Sequence, residues 1–265
     1  MTRQEDKAQA FRALHEGAPF VIPNPWDAGS ARVLEALGFE ALATTSSGFA
    51  FTLGRLDGGA TLDDVVAHVE ALARATDLPI SVDLENGYDA SPEAAAHAIT
   101  RVVEAGAVGG SIEDYDPSGR LYEQGEAAER VAAAVEAARD VGFPFTLTAR
   151  AENHIRGNPD LADTTARLQA YEAAGADVLY APGLTTTAEI REVCSAVTRP
   201  VNVLALGGLS LAEIADAGGQ RISVGGGLTW VAISAFADAA RAIHESGDFS
   251  SLGKRVPLGD WLAER

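Results

Sequence analysis

The chain has 265 residues, of which 47% are hydrophobic and 22% charged, and this is enough for one large buried core. Its 20 Lys+Arg against 38 Asp+Glu give a net charge of −18, which disfavours nucleic acid and anionic membranes as partners. The single cysteine, Cys194, excludes an internal disulfide and a cysteine-bound metal cluster.

Apolar, strand-like runs alternate eight times with Ala-rich helical segments along the chain. Glycines in LGF, EAGA, AAGAD and DAGG are expected to end helices before the next strand. The alternation predicts a single (β/α)8 TIM barrel over residues 1–265, with a doubly wound sheet as the alternative and a C-terminal extension from about residue 245. The predicted strands are Pro19–Pro23, Ala41–Thr45, Ile80–Glu85, Gly109–Glu113, Phe145–Arg150, Val178–Ala181, Val201–Ala205 and Arg221–Gly225. The predicted helices include Ala28–Leu37, Thr61–Ala75, Ser91–Ala105, Glu123–Asp140, Leu161–Ala174 and Thr187–Val197.

The N-terminal segment is charged and lacks an apolar signal-like region. No apolar run approaches the roughly 18 residues of a membrane-spanning helix, so we expect a cytoplasmic protein. The only lysines are Lys7, ahead of the first predicted strand, and Lys254, in the tail. Schiff-base catalysis from a barrel strand is therefore excluded, and an electrophile has to be a metal ion, an arginine or backbone amides.

Polar side chains cluster at the C-terminal ends of the predicted strands, where a barrel builds its active site. Side chains alternate along a strand, so Asp83 and Glu85 face away from Val82 and Leu84. The apolar pair is expected to meet the helices, which directs the two carboxylates into the barrel mouth. The same alternation directs inward Ser111, Glu113, Thr146, Thr148 and Arg150.

Three carboxylates on neighbouring strands, Asp83, Glu85 and Glu113, repel one another unless a cation lies among them. A hard ion with oxygen ligands, Mg²⁺ or Mn²⁺, suits such a site. The alternative for any one of them alone is a strand-end cap or an ion pair. A shared cation accounts for all three together.

Arg150 and the segment TSSG at 45–48 each have two interpretations. Arg150 either grips a substrate carboxylate through its planar fork or ties Glu113 to Glu152. TSSG is either a simple turn or a set of backbone amides that hold a carboxylate or enolate oxygen.

Two further kinds of loop are candidates for function. Residues Tyr115–Gly125 contain Pro, Ser and Gly and show little apolar periodicity, which predicts a mobile lid; the alternative is a solvated surface loop. Glycine-rich stretches at 207–209 and 225–227 occupy the phosphate-binding loops of other barrels, or serve close packing.

These segments resemble the isocitrate lyase/phosphoenolpyruvate mutase superfamily from about Val21 to Ala240. The similarity is carried, in order, by NPWDAGSARVLEALGFEAL, TTSSG, GRLDGG, VDLENGYD, GGSIEDYD, TARAEN, GADVLYAPGL and VNVLALGG. It implies a Mg²⁺-dependent enzyme that acts on a small 2-oxo acid through an enolpyruvate-like intermediate. Members of the superfamily are usually tetramers whose barrels exchange the eighth helix, so the resemblance also implies a homo-oligomer, either a dimer or a tetramer.

The resemblance implies residue roles as well. Asp83 is expected to bind the metal directly, and Glu85 and Glu113 are expected to bind it through waters. Asp57 is expected near the bond that breaks. The implied substrate-binding residues are Thr45, Ser46, Ser47, Asp83, Arg150 and Asn202, and the catalytic candidates are Asp57, Tyr115, Asp116 and Arg150.

The loop after Glu113 departs from the superfamily pattern. Lyases carry Lys-Cys-Gly-His there, and mutases and phosphonopyruvate hydrolases carry a lysine and an asparagine, whereas this chain has EDYDPSGRLYEQG. Glu85 stands where the superfamily has aspartate. Tyr115 and Asp116 are therefore the preferred source of acid chemistry. The sequence favours a lyase or decarboxylase for a 2-oxo acid or substituted malate, with a phosphonate mutase or hydrolase and an idle 2-oxo acid binding protein as alternatives.

Overall fold

The computed structural model describes residues 3–253 and 256–263, so Lys254 lies outside the described part of the chain. In chain order the strands are β1 (Phe20–Ile22), β2 (Leu42–Ala43), β3 (Ile80–Asp83), β4 (Gly109–Glu113), β5 (Tyr115–Asp116), β6 (Arg120–Leu121), β7 (Thr146–Arg150), β8 (Val178–Tyr180), β9 (Val201–Leu204) and β10 (Arg221–Ser223). The α-helices are α1 (Gln4–Leu14), α2 (Ala28–Ala36), α3 (Ser46–Thr52), α4 (Leu62–Ala75), α5 (Pro92–Glu104), α6 (Gln124–Asp140), α7 (Leu161–Ala174), α8 (Thr187–Ala196), α9 (Leu211–Asp216), α10 (Gly227–Ser246) and α11 (Leu258–Trp261). None of these helices is both long and apolar enough to cross a membrane.

Eight parallel strands form one sheet in the order β1-β10-β9-β8-β7-β4-β3-β2. The two edge strands approach each other at a hydrogen bond of 3.1 Å from the Ala43 amide to the Pro23 carbonyl, so the sheet is nearly closed. The prediction of a (β/α)8 barrel is thus confirmed, and the predicted strands coincide with the observed ones to within a few residues at each end.

The helices begin and end where the sequence provides caps. Thr61 and Thr186 accept hydrogen bonds from the backbone amide three residues on and close capping boxes at α4 and α8, each worth about 1 kcal/mol. The glycines predicted to end helices have left-handed backbones, which only glycine adopts without strain. They are Gly38, Gly106, Gly175 and Gly218.

The alternation of strand side chains positions the site. Val82 and Leu84 are buried in the main core between the strands and the helices, as predicted, whereas Asp83 lines a cavity in the barrel. The parallel register places Glu113 beside Arg150, and Asp83 beside Ser111. Carboxylates and guanidinium therefore meet at the same end of the barrel.

Helix α1, which the sequence analysis did not predict, closes the opposite end of the barrel. Phe11 is fully buried with Phe20 and Val108 in a small second core. A side chain at Gly109 would lie 2.8 Å from the Phe11 ring, so glycine is needed there for the ring to enter. The cavity in the barrel is consequently open at the C-terminal end of the strands.

Two predicted loops have more structure than expected. TSSG is not a simple turn: Ser46 begins the short helix α3, and the hydroxyl of Thr45 accepts a hydrogen bond from the Gly48 amide. The expected lid contains the antiparallel pair β5 and β6, and its Gly125 already belongs to α6.

Helix α10 and the tail leave apolar side chains in solvent. Val231 and Phe236 of α10 are 68% and 70% exposed. Within the tail, α11 contacts α2 on the outside of the barrel, and Arg32 donates a hydrogen bond to the Ala263 carbonyl. The tail therefore packs on the flank of the barrel and does not cover its mouth, while Phe249 stays exposed.

Candidate active site

Two adjoining cavities open at the C-terminal ends of the strands. The inner cavity, of about 240 Å³, extends into the barrel, and the outer cavity, of about 250 Å³, lies toward the β5–β6 hairpin. They share four residues: Ser46, Asp57, Arg150 and Arg156. Of the predicted site residues, Thr45, Ser47, Asp83 and Asn202 line the inner cavity, and Glu85, Glu113 and Tyr115 line the outer one.

Arg150 joins three carboxylates at the boundary of the cavities. Its Nη1 lies 2.8 Å from Asp83, and its Nη2 lies 2.9 Å from Glu113 and 2.7 Å from Glu152. Arg156 adds a second cation, 3.1 Å from Glu152 and 3.7 Å from Glu113. The structure thus contains the tie between Glu113 and Glu152 that was one interpretation of Arg150, and it extends this tie to Asp83.

The mouth holds more negative than positive charge. Burial, followed by the charges of Asp83 and Asp57, raises the pKa of Glu85 to about 7. Burial also raises the pKa of Glu113 well above its usual range, although Arg150 acts in the opposite direction. Both shifts indicate carboxylates that a further cation would stabilise in their charged form.

The donor atoms here are carboxylate oxygens, which a hard divalent cation prefers. Within residues 3–253 and 256–263, no three His, Cys, Asp or Glu side chains converge closely enough to hold an ion between them. The residues therefore fit a hydrated Mg²⁺ held largely through waters. They do not fit a closed site made of protein ligands alone.

The N-terminus of α3 faces the carboxylates. The Ser46 amide donates a hydrogen bond of 3.2 Å to Asp83, so it is already directed at an acidic group. A side chain at Gly48 would lie 2.6 Å from Thr229 and 2.7 Å from Thr45, which requires glycine at this position. This close packing holds the amides of residues 46 and 47 at the cavity wall.

An unusual backbone turn carries Glu85 into the outer cavity. Glu85 and Tyr88 have φ angles of 48° and 70°, a left-handed conformation that costs non-glycine residues about 1–3 kcal/mol each. Gly87, between them, donates a hydrogen bond of 2.7 Å to the Leu84 carbonyl. The strained backbone of Glu85 and Tyr88 is held in place because the turn lies among buried residues.

The segment expected to be a lid is partly anchored by buried and hydrogen-bonded side chains. Tyr122 is fully buried, and its hydroxyl donates to Asp116 at 3.1 Å and accepts from Asn86 at 3.0 Å. Asp116 also accepts from the Ser118 amide at 2.7 Å and lines neither cavity, so it lies in the hairpin turn and not beside the cavities, where it was expected. Tyr115 does line the outer cavity, with its ring 3.9 Å from the Arg156 guanidinium.

Arg156 and Arg221 line the cavities but were not among the predicted site residues. Arg221, 5% exposed, donates from Nε to Asn202 at 2.8 Å and from Nη2 to Thr148 at 2.9 Å. Its Nη1 lies 3.4 Å from His15. Applying the alternation to β10 would have directed Arg221 inward beside Ser223, and the spacing from Glu152 would have indicated Arg156.

Comparison with known proteins supports a superfamily assignment. A family model described as phosphoenolpyruvate phosphomutase matches residues 11–244. A crystal structure of a candidate lyase/mutase from Burkholderia cenocepacia J2315 is 50% identical with a TM-score of 0.95, and the match covers 98% of this chain and 97% of that one. The oxaloacetate decarboxylase of Rhodopseudomonas palustris (strain BisB18) is 32% identical over 79% of this chain and 73% of its own. The 2-methylisocitrate lyase of Escherichia coli (strain K12) is 31% identical over 73% of this chain and 68% of its own.

Proposed function

Because this chain belongs to the phosphoenolpyruvate phosphomutase family, within the isocitrate lyase/phosphoenolpyruvate mutase superfamily, we propose that it is a Mg²⁺-dependent lyase or decarboxylase. Its substrate is a small 2-oxo acid or substituted malate, cleaved through an enolpyruvate-type intermediate. The observation that carries the proposal is the group of carboxylates around Arg150 beside the Ser46 amide. The decarboxylase and lyase among the relatives support the reaction class.

The residues divide the work by position. Asp83 would hold Mg²⁺ directly, and Glu85 and Glu113 would hold it through waters. When bound, the ion supplies positive charge that stabilises the enolate oxygen. Arg150 and the amides of residues 46 and 47 would orient the carboxylate of the 2-oxo acid.

The remaining polar residues act on the bond that breaks and on water. Asp57 lines both cavities and would face the scissile side of the substrate. Tyr115 would transfer a proton from its hydroxyl to the carbon that keeps the electron pair of the broken bond, and the phenolate would then regain a proton from water. The β5–β6 hairpin beside the outer cavity would limit entry of water while the enolate exists.

Phosphonate mutase or hydrolase chemistry is the second candidate, and the description of the matching family model supports it. The location of Lys7 argues against it, because its ammonium donates to the Thr76 carbonyl away from both cavities. The superfamily mutases were expected to carry a lysine in the loop after Glu113, and none is present there.

The test is turnover of oxaloacetate, 2-methylisocitrate, 2,3-dimethylmalate and phosphonopyruvate with Mg²⁺ or with a chelator. We expect cleavage of at least one of the three substrates that lack phosphorus. Both the chelator and Asp83→Asn should abolish this cleavage. Turnover of phosphonopyruvate alone would establish the second candidate. Tight oxalate binding without any turnover would identify a binding protein.

A further inference from the structure

Arg221 is a buried cation in the inner cavity without a carboxylate partner. Among the described residues, no carboxylate oxygen lies within 4.0 Å of its guanidinium, in contrast to Arg150 and Arg167. Its side-chain contacts are with Asn202, Thr148 and His15. Burial lowers its pKa to about 10, which still leaves it charged at neutral pH.

The neighbours of Arg221 supply acceptors without charge. His15 lies with its Nδ1 2.8 Å from the Phe11 carbonyl, so this nitrogen donates and Nε2 is left to accept from Arg221. Burial, together with the charge of Arg221, lowers the pKa of His15 to about 3, so the imidazole is neutral. A buried charge that lacks a counter-charge costs several kcal/mol, and this cost has to be offset by the rest of the fold or by a bound anion.

Arg130 shows what a purely structural buried arginine looks like in the same chain. Its guanidinium also lacks a carboxylate partner among the described residues, but it donates to the carbonyls of Ala90, Ser91 and Asn86 and lines neither cavity. Arg221 differs because it faces open volume. Fewer than all of its five N–H groups have partners, so donors remain for a ligand.

We propose that Arg221 forms a second anion subsite deep in the barrel, where it holds the second acid group of the substrate at the opposite end of the inner cavity from the first. One acid group lies at the mouth between Ser46 and Arg150, and the other lies above Arg221. This inference rests on the proposed function for the identity of the first acid group. It gives a place in the cavity to the further acid group that all four test substrates carry.

The size and lining of the inner cavity support this arrangement. Its volume of about 240 Å³ equals that of about eight liquid waters, roughly the size of an acid with eight or nine non-hydrogen atoms. Its lining includes small neutral polar side chains, namely Ser81, Ser111, Asn202 and Ser223, while its acidic residues are Asp57, Asp83 and Glu152. The hydrogen-bond partners of Arg221 are neutral, so a bound anion would supply the counter-charge that they lack.

The experiment compares succinate, a dianion without a 2-oxo group, with propionate, its monoanionic counterpart, by titration calorimetry. Wild-type protein should bind succinate at least about ten times more tightly, equivalent to about 1.4 kcal/mol. Arg221→Gln should reduce this ratio to below threefold, Arg221→Lys should restore part of it, and Arg130→Gln should leave it unchanged. Titrating 3-phosphonopropionate beside succinate shows whether the second acid group is a phosphonate or a carboxylate.

A wild-type ratio below threefold, or a ratio that survives Arg221→Gln, overturns the subsite. If Arg221→Gln does not fold, the wild-type ratio and its change in Arg221→Lys decide. The proposed function is tested separately by Mg²⁺-dependent binding of oxalate in Asp83→Asn. This variant should lose oxalate binding, whereas the succinate ratio is measured with Asp83 intact, so either idea can fail while the other stands.

Discussion

Nη1 of Arg150 lies 2.8 Å from Oδ1 of Asp83, although the two residues are 67 positions apart in the chain. The contact joins β3 to β7 across the intervening strand β4. Because Arg150 also contacts Glu113 and Glu152, a change at one carboxylate alters the partners available to the others. The effects of substitutions in this group on the free energy of unfolding should therefore be non-additive.

Asp83→Asn should weaken Mg²⁺ binding by at least about 100-fold and abolish metal-dependent turnover, because an amide is a poor ligand for the ion. Calorimetric titration with Mg²⁺ measures the affinity, and circular dichroism checks the fold. Asp216→Asn, an exposed carboxylate on α9, is the matched control. Unchanged Mg²⁺ affinity would remove Asp83 from the metal site.

Arg150→Lys should weaken binding of pyruvate and oxalate by at least tenfold, because a point charge cannot reproduce the guanidinium fork. It should also destabilise the protein by about 1–3 kcal/mol, since the buried Glu113 and Glu152 lose hydrogen bonds. Binding measured well below the unfolding temperature separates the two effects. A loss of stability with affinity changed less than threefold would make Arg150 purely structural.

Tyr115→Phe should lower kcat by at least about 100-fold while the unfolding temperature stays the same, because Tyr115 lines the outer cavity and is the proposed proton donor. Asp116→Asn should show the opposite pattern, with kcat within threefold and a less stable hairpin turn, because its contacts are with Ser118 and Tyr122. The rate of limited proteolysis at Pro117–Arg120 measures the stability of the hairpin turn. Equal kcat in Tyr115→Phe and wild type would exclude the Tyr115 hydroxyl as the proton donor.

Buried His15 should make the protein less stable as the pH falls below 6.5. Its pKa is about 3 in the folded protein and about 6.5 in the unfolded chain, so between these values only the unfolded chain binds the proton. Above pH 6.5 His15 causes no loss in the free energy of unfolding. At pH 5 the loss is about 2 kcal/mol, and it rises as the pH falls toward 3.

Urea unfolding at pH 8 and pH 5 measures this loss, with His15→Gln as the comparison because glutamine also offers an acceptor to Arg221. Carboxylates titrate equally in both proteins and cancel in the difference. Between pH 8 and pH 5, the free energy of unfolding should fall by about 2 kcal/mol less in His15→Gln than in the wild type. An identical loss in both would show that His15 is not held neutral.

The exposed apolar side chains of α10 should be covered in a homo-oligomer, since monomers rarely leave such a helix bare. Light scattering should find a dimer or tetramer for the wild type and a larger monomer fraction for Phe236→Glu. Arg241→Glu, at an exposed polar position of the same helix, is the control. A wild-type monomer at about 100 μM would contradict the prediction.

The barrel and most of the cavity lining could be predicted from the sequence because they follow from local patterns. Strand alternation alone separates Asp83 and Glu85 from Val82 and Leu84, and no knowledge of distant residues is needed. Glycine stops and capping boxes are likewise encoded within a few residues.

What the sequence did not reveal depends on contacts between distant segments. Tyr122 lies in a stretch with Pro, Ser and Gly, which predicts a surface loop. It is buried through contacts with Asn86 and Arg130, which lie in other segments of the chain. Asp116 was preferred as an acid because it follows Glu113 closely, yet its side chain bonds within the hairpin. The partners of Arg150 beyond Glu113 and Glu152 also required the barrel register.

The contact between His15 and Arg221 spans 206 residues and links the first helix to the last barrel strand. During synthesis on the ribosome, β10 is therefore among the last strands to appear, after the mouth residues from Ser46 to Arg150 have already been made. A nascent or truncated chain that ends before β10 would carry the carboxylates of the mouth but not Arg221. Selectivity for the second acid group would thus arise only after β10 has been made, and circular permutants that start within α9 would acquire Arg221 first.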